Sequence, residues 1–329
     1  MITEKEINKL EEKQVPIEQI NKQLENFKEG FPSLDIQKPA LVHDGIIQLS
    51  DDETIQKVAK YQNSLEKTSV IKFIPASGAA TRMFKFLYEL YNNYDEQTDD
   101  IQKVVKNNEA LNRFFSNLKL FPFYNDLKDV LKKHELTSDR LIENNKYNTL
   151  LHYLLTEDGL NYGGLPKALI KFHQYKNHSR TPLEDHMAEG ALYAKYKTGF
   201  VDVHFTVLPG HRKLFENYLN KIIKQYEKKY KVKYTVTFSD QNPATDTIAV
   251  NMDNEPFRTE EGELFFRPGG HGALLGNLNS LDKDIIFIKN IDNIVPDRLK
   301  SLMETYKKVL GGVLLDFVHQ IHEYLTKLE

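Results

Sequence analysis

The chain has 329 residues, of which 40% are hydrophobic, so it holds enough apolar side chains for one large globular domain or two ordinary ones. Its 44 basic and 47 acidic residues nearly cancel, and the formal charge of −3 offers no electrostatic footprint for a nucleic-acid partner. The absence of cysteine excludes disulfides, thiolate metal sites and a cysteine nucleophile. A charged N-terminus and the lack of any stretch near the roughly 20 apolar residues of a membrane span predict a soluble cytoplasmic protein with no membrane partner.

The sequence pattern of the first 66 residues predicts helices and loops. Apolar residues recur there at near-helical spacing: Ile7, Leu10, Ile17, Ile20 and Leu24. The sequence Ser50-Asp51-Asp52-Glu53 has the form of a capping box, which predicts a helix that runs to about Asn63. We interpret residues 1–66 as a helical cover.

An alternating pattern begins at Ser69. The run SVIKFIP predicts a buried strand, and it is followed by a loop of small residues and the helical sequence MFKFLYELY. Residues 92–160 show helical periodicity without a clear strand, which predicts a helical insertion.

Strand and helix patterns continue to alternate after the insertion. Strands are predicted at 200–208, 233–238 and 284–290, and helices at 211–230 and from the glycine pair at 269–270 onward. This alternation predicts an α/β fold, a Rossmann-like, doubly wound and mainly parallel sheet at 67–296. Residues 297–329 predict an amphipathic C-terminal helix.

The loop after the first strand is a candidate phosphate site. Its small residues, Ala76, Ser77, Gly78, Ala79 and Ala80, allow close approach of the backbone to an anion, and Thr81 and Arg82 add a hydroxyl and a cation. The alternative is a tight turn of the kind found in any α/β protein.

Two further candidates are charged. Lys167 follows Pro166 and precedes an apolar, strand-like run; it is either a functional cation or a solvated surface charge. Asp292 follows the last strand, at the sheet edge where open α/β sheets bind ligands, and its carboxylate suits Mg²⁺. The alternative for Asp292 is a helix N-cap.

Two polar or glycine-rich segments are candidates for contact with a base. Gln241, Asn242 and Asp246 follow a strand and either read a base or form turn hydrogen bonds. A second segment offers a flat backbone surface for a planar ring: Gly269, Gly270, His271 and Gly272. No metal-ligand spacing accompanies His271, so we do not interpret it as a zinc ligand.

Taken in order, these segments resemble the eukaryotic-type UDP-sugar pyrophosphorylases, nucleotidyltransferases of glycosyltransferase-A-like fold. The resemblance covers about residues 69–296 and is carried by five pieces: Ser77-Gly78-Ala79-Ala80-Thr81-Arg82, Pro166-Lys167, Gln241-Asn242-Pro243-Ala244, Gly269-Gly270-His271-Gly272-Ala273-Leu274 and Asn290-Ile291-Asp292-Asn293. More narrowly, the whole chain resembles a bacterial family, DUF4301, which itself resembles that group.

The resemblance implies that a sugar-1-phosphate attacks the α-phosphorus of a nucleoside triphosphate, UTP being favoured, and that pyrophosphate leaves. Arg82, Lys167 and Asp292 would be catalytic, with Mg²⁺ on Asp292. The remaining candidates would bind the nucleotide: Ala76, Ser77, Gly78, Ala79, Ala80 and Thr81 at its phosphates, and Gln241, Gly269, Gly270, His271 and Gly272 at its base.

The sequence departs from that family at two loop glycines, where Ser77 and Ala80 stand, and it ends soon after Asp292. Family members continue with strands that build the sugar pocket, so truncation before the sugar-binding part is one expectation. The principal alternative function is a non-catalytic module that binds a nucleotide or nucleotide-sugar. A glycosyltransferase on the same fold is a second, and the oligomeric state is left open.

Overall fold

The computed structural model describes residues 2–12, 15–31, 33–78, 80, 83–94 and 100–328. It has a central four-stranded parallel sheet and many helices, which confirms the predicted α/β class. The chain forms two compact units. The larger comprises Ser69–Phe238 and Ile285–Tyr306, and the smaller comprises Met1–Thr68, Ser239–Asp284 and Lys307–Glu329.

The helices and strands are numbered along the chain. The helices are α1 (Glu4–Glu12), α2 (Ile17–Glu29), α3 (Asp51–Ser64), α4 (Lys85–Asn93), α5 (Ile101–Asn107), α6 (Glu109–Ser116), α7 (Tyr124–Lys133), α8 (Ser138–Glu143), α9 (Tyr147–Leu155), α10 (Pro182–Tyr193), α11 (Arg212–Tyr230), α12 (Leu275–Asn279) and α13 (Asp297–Leu328). The strands are β1 (Leu41–Val42), β2 (Gly45–Ile46), β3 (Val70–Pro75), β4 (His173–Gln174), β5 (Ser179–Arg180), β6 (Phe200–Val207), β7 (Lys233–Asp240), β8 (Thr247–Ile248), β9 (Phe266–Arg267) and β10 (Ile285–Ile288).

The central sheet has the strand order β10-β3-β6-β7. Strand β3 pairs in parallel with both neighbours, Val70 lying opposite Ile285 and Ile71 opposite Asp202. Every residue of β3 is buried, as its apolar sequence predicts. The chain moves from β3 to β6 and β7 on one side and returns to place β10 on the other, so the strand order reverses between β10 and β3. Ligands of open α/β sheets bind beyond the carboxyl ends of the strands at such a reversal.

The larger unit has two apolar cores. One lies around the sheet and includes Ile74, Phe205 and Phe215. The other is built by the helices α4 to α9 and includes Leu127 and Leu150. The described residues between 100 and 160 form helices and no strand, as the sequence predicts for the insertion.

Two helices begin at capping boxes, and the start of α3 predicted from Ser50 is confirmed. Thr181 caps α10 through a capping box with Glu184, and proline occupies the first helical position. Ser50 and Glu53 form the same motif at the start of α3. The prediction of a strand-like run after Lys167 is wrong, because Lys167–Leu169 form a short 3-10 helix. Its apolar pattern arises because Ala168 packs into the core around the sheet and Ile170 into the core of the helices α4 to α9.

The smaller unit brings together segments that are far apart in sequence. Leu10 of α1, Val15 from the segment between the helices and Ile20 of α2 pack against Ile248 of β8, which pairs antiparallel with β9. Residues 239–284, which we predicted as part of the nucleotide-binding domain, therefore lie in one unit with the N-terminal helices. The division of function among 1–66, 67–296 and 297–329 stays a prediction.

Within the described ranges, no helix is long and apolar enough to cross a membrane.

Candidate active site

The loop after β3 turns from the buried sheet to solvent within three residues. Ala76 is buried, and its backbone N–H donates to the carbonyl oxygen of Thr206 at 2.8 Å. Ser77 is half-buried and Gly78 is exposed, so the backbone at Gly78 is open to a ligand. The side chain of Ala80 is buried in the core of the helical insertion and does not face this opening. Three further predicted residues lie outside the described residues: Ala79, Thr81 and Arg82.

Lys167 lies against this loop. Its backbone N–H donates to the carbonyl oxygen of Gly78 at 3.2 Å. A Cβ atom on Gly78 would lie 3.7 Å from Cδ of Lys167, in ordinary van der Waals contact. The lysine ammonium donates to Oδ2 of Asp292 at 2.7 Å. Three residues predicted at separate places in the sequence therefore converge at one edge of the sheet.

The position of Asp292 follows from the pairing of β10 with β3. The backbone N–H of Ile291 donates to the carbonyl oxygen of Pro75 at 3.2 Å, which holds the end of β10 beside the end of β3. The side chain of Asp292 is 39% exposed, against 24% for Lys167. Helix α13 begins only at Asp297, so the alternative of Asp292 as a helix N-cap is wrong.

The segment that precedes Asp292 rests on a buried histidine. Nε2 of His186 lies 3.2 Å from the carbonyl oxygens of both Asn290 and Ile291. Carbonyl oxygens only accept hydrogen bonds, so Nε2 carries the proton and donates. Complete burial and the nearby charge of Lys72 hold the pKa of His186 well below its ordinary value, which keeps the ring neutral.

A buried ion cluster links the same two strands. Glu189 of α10 accepts from Lys72 of β3 at 2.9 Å and from Lys289, which follows β10, at 2.9 Å to each oxygen. Burial alone would raise the pKa of Glu189, but the two lysine charges outweigh it and lower that pKa to about 2. The carboxylate is therefore ionised at neutral pH and holds β3 and the end of β10 together.

A second ion cluster anchors the chain beyond Asp292. Arg180, which is fully buried, donates to both oxygens of Asp297 at 2.6 and 2.9 Å. Lys300 donates to Asp185 of α10 and to the carbonyl oxygen of Val295, each at 2.7 Å. The segment that carries Asp292 is thus held from α10 on both sides, which favours a fixed position for its carboxylate.

The two segments predicted to contact a base meet in the smaller unit. Gln241 is 2% exposed, and its Nε2 donates to the carbonyl oxygen of Gly269 at 3.1 Å. A Cβ on Gly269 would lie 2.6 Å from the carbonyl oxygen of Thr245, so glycine is required there for packing. Nothing lies within 4 Å of a Cβ built on Gly270 or Gly272, and His271 is exposed. A contact of these residues with a base stays a prediction.

For Asn242, the turn alternative is confirmed. Its Oδ1 accepts from the backbone N–H of Ala244 at 2.9 Å, the hydrogen bond of an Asx turn. This bond shapes the short 3-10 helix Pro243–Thr245 and gives the side chain a local structural role.

Comparison with protein families gives one result. The model of a family described as a domain of unknown function (DUF4301) matches residues 3–329. The chain belongs to the DUF4301 family. Comparison with curated proteins and with solved structures gives no match. The resemblance of this DUF4301 chain to UDP-sugar pyrophosphorylases stays a prediction.

The residues that hold the DUF4301 site together were missed by sequence reasoning. Helix α10 carries Glu184, Asp185, His186 and Glu189, and all of them are buried. Charged side chains are rarely buried unless paired, and here two of the partners, Lys72 for Glu189 and Lys300 for Asp185, lie more than 100 residues away in sequence. The sequence carries no local signal for this burial, because the burial depends on partners from other segments.

Proposed function

We propose that this protein is a nucleotidyltransferase that joins a nucleoside triphosphate and a sugar-1-phosphate to give a nucleoside diphosphate sugar and pyrophosphate, with UTP the favoured triphosphate. The observation that carries the proposal is the Lys167–Asp292 pair, at 2.7 Å, beside the exposed backbone of Gly78. It lies beyond the carboxyl ends of β3 and β10, where the strand order reverses. The proposal includes a Rossmann-like, doubly wound sheet of the glycosyltransferase-A kind.

The reaction requires no nucleophilic side chain. An oxygen of the sugar-1-phosphate forms a bond to the α-phosphorus, the bond from that phosphorus to the β-phosphate oxygen breaks, and pyrophosphate leaves with the electron pair. Catalysis of this type depends on positioning and on neutralisation of charge. A cation and a carboxylate that are already held in place supply both, because they need little reorganisation when the phosphates arrive.

The roles follow from the chemistry of each group. Backbone N–H groups of the loop from Ser77 to Thr81 would donate to phosphate oxygens, together with Arg82. The Lys167 ammonium would exchange its bond to Asp292 for the oxygens where the two phosphates meet. Such an exchange keeps the lysine charge paired at every stage, since a phosphate replaces the carboxylate as its partner.

Asp292 is the residue that would hold Mg²⁺. Its carboxylate is part-exposed, and in the described ranges no group of three or more histidine and acidic side chains is placed to hold a metal ion. One carboxylate suits Mg²⁺ when phosphate oxygens and water complete the shell, so the donor set fits a metal that arrives with the nucleotide. When bound, Mg²⁺ supplies positive charge to the triphosphate.

The experiment is a pyrophosphate-release assay. Wild-type protein is incubated with UTP or another triphosphate, Mg²⁺ and a panel of sugar-1-phosphates, and the products are identified by mass. We expect release only when both substrates are present, and its loss in Arg82→Ala and Lys167→Ala. Nucleotide binding by calorimetry without any release would contradict the proposal and favour a binding module. Binding of neither substrate would contradict both functions.

A further inference from the structure

The part of α13 that lies in the smaller unit, from Lys307 on, has one face packed within that unit. A Cβ on Gly311 would overlap the ring of Tyr61 in α3, so the two helices approach closely there. Asp316, one turn further on, accepts from Lys57 at 2.6 Å and also from Lys60. This face is therefore covered by α3.

The opposite side of the same helix is apolar and uncovered. Eight large apolar side chains are between 40% and 83% exposed: Leu310, Leu314, Phe317, Val318, Ile321, Tyr324, Leu325 and Leu328. We call these residues the α13 stripe. Surface apolar residues are normally scattered singly, and a continuous row of them marks an interaction surface.

The spacing of the residues in the α13 stripe indicates which kind of partner would fit it. Leu310, Leu314, Phe317, Ile321, Tyr324 and Leu328 are separated by four, three, four, three and four residues. This alternation is the heptad pattern by which one helix packs along another, with residues 310, 317 and 324 at one core position and 314, 321 and 328 at the other. A flat sheet or a compact pocket does not require a 3.5-residue period, whereas a second helix does.

The size of the stripe suits a second copy of the same helix. Eight side chains about half exposed present on the order of 700 Å² of apolar surface, more than the largest patch of most monomers and close to the roughly 800 Å² that each partner contributes to a stable complex. A twofold axis pairs the stripe with a partner of equal length and equal heptad phase.

Charge does not oppose such self-association. The positions that flank a heptad core usually carry the charges that set partner choice. Along the stripe these flanking positions carry Gly311, Val313, Val318, Gln320, Leu325 and Lys327, of which only Lys327, near the end of α13, is charged. Two identical stripes can therefore meet without like charges facing each other.

We propose that this protein forms a twofold homodimer in which the α13 stripe of one copy packs along the α13 stripe of the other. The contact adds a helix pair to the part of α13 that α3 leaves uncovered. It is independent of the nucleotidyltransferase proposal and concerns a different part of the chain.

The test is the mass of the full chain in solution, by light scattering and by sedimentation equilibrium at about 1 to 100 µM. We expect twice 38.3 kDa for the wild type, and 38.3 kDa for the double variant Phe317→Glu/Ile321→Glu. The matched control is Ile36→Glu, because Ile36 is 80% exposed in the same unit but lies outside the stripe; this variant should remain a dimer. Far-UV circular dichroism and thermal unfolding check that each variant is folded.

Three results would overturn the proposal. They are a monomeric wild type at the highest concentration, a double variant that is folded and still dimeric, and dissociation caused equally by Ile36→Glu. If the double variant does not fold, the milder change Leu314→Ser replaces it, and a dissociation constant unchanged from the wild type counts against the stripe.

Discussion

The Lys167 ammonium and the Asp292 carboxylate lie 2.7 Å apart although 125 residues separate them in the chain. The pair joins the segment after the helical insertion to the end of β10, and both groups are part-exposed. Each is thus both paired and accessible. An exposed ion pair of this kind adds little to stability, commonly about 0 to 1 kcal/mol, so its substitution should reveal function more than folding.

The first prediction concerns Lys167. Lys167→Ala should lower turnover by about 100-fold or more, because it removes a charge that is positioned for the transition state. The assay is the initial rate of pyrophosphate release at saturating substrates. Lys171→Ala is the matched control, since Lys171 belongs to the same segment but pairs with Asp126 at 2.5 Å. A Lys167→Ala rate within about threefold of wild type would show that the lysine has no catalytic part.

The second prediction concerns Asp292. Asp292→Asn keeps the size of the side chain and removes its charge, so the Mg²⁺ concentration for half-maximal activity should rise by about tenfold or more. The measurement is a Mg²⁺ titration of the rate at fixed triphosphate. Asp282→Asn, an exposed substitution just before β10, serves as the control. An unchanged titration curve in Asp292→Asn would place the metal on another residue.

The sequence predicted one part of this site well and another not at all. Strands β3 and β10 were predictable because each is a short apolar run, and the carboxyl ends of parallel strands share an edge; Gly78 and Asp292 follow from that alone. The run after Lys167 looked strand-like, because burial of Ala168 and Ile170 imitates strand alternation, but it is a short 3-10 helix. The buried charges of α10 were not predictable, because their identity as core residues depends on partners such as Lys72 and Lys300 that no local pattern reveals.

The third prediction separates packing from binding at two adjacent glycines. Gly269→Ala should lower the melting temperature by several degrees, because its Cβ would lie 2.6 Å from the carbonyl oxygen of Thr245. Gly270→Ala should leave the melting temperature unchanged, because nothing lies within 4 Å of its Cβ. If this backbone contacts a base, Gly270→Ala should still weaken UTP binding measured by calorimetry. An affinity equal to wild type would remove Gly270 from the nucleotide site.

The fourth prediction concerns Glu189. Glu189→Gln should lower the free energy of unfolding by about 3 kcal/mol at pH 6, because the charges of Lys72 and Lys289 lose their buried partner. The pKa of Glu189 is lowered from 4.5 to about 2 in the folded chain, so its stabilising effect is complete above about pH 4.5 and is lost as pH falls towards 2. Urea unfolding at pH 6 and pH 3 should therefore show the difference between variant and wild type shrinking by about 2 kcal/mol. A difference that does not change with pH would mean that the pKa of Glu189 is not lowered in the folded protein.

The last prediction concerns His186, which donates to the backbone beside Asp292. Its pKa is held well below 6.5 in the folded chain, while in the unfolded chain it takes up a proton below that pH. The folded state therefore keeps the stabilisation that comes from the neutral His186 ring above pH 6.5 and loses it as the pH falls below that value. Between pH 7.5 and 5.5 the wild type should lose about 1 kcal/mol more than His186→Gln, which cannot titrate but keeps an N–H donor.

A second readout of the same residue separates positioning from simple stabilisation. His186→Gln can still donate to the carbonyl oxygens of Asn290 and Ile291, whereas His186→Phe cannot. We therefore expect the Mg²⁺ requirement of the reaction to rise in His186→Phe and to stay near wild type in His186→Gln, when both are measured below their melting temperatures. Equal Mg²⁺ titrations in the two variants would show that this hydrogen bond contributes to folding and not to the position of the Asp292 carboxylate.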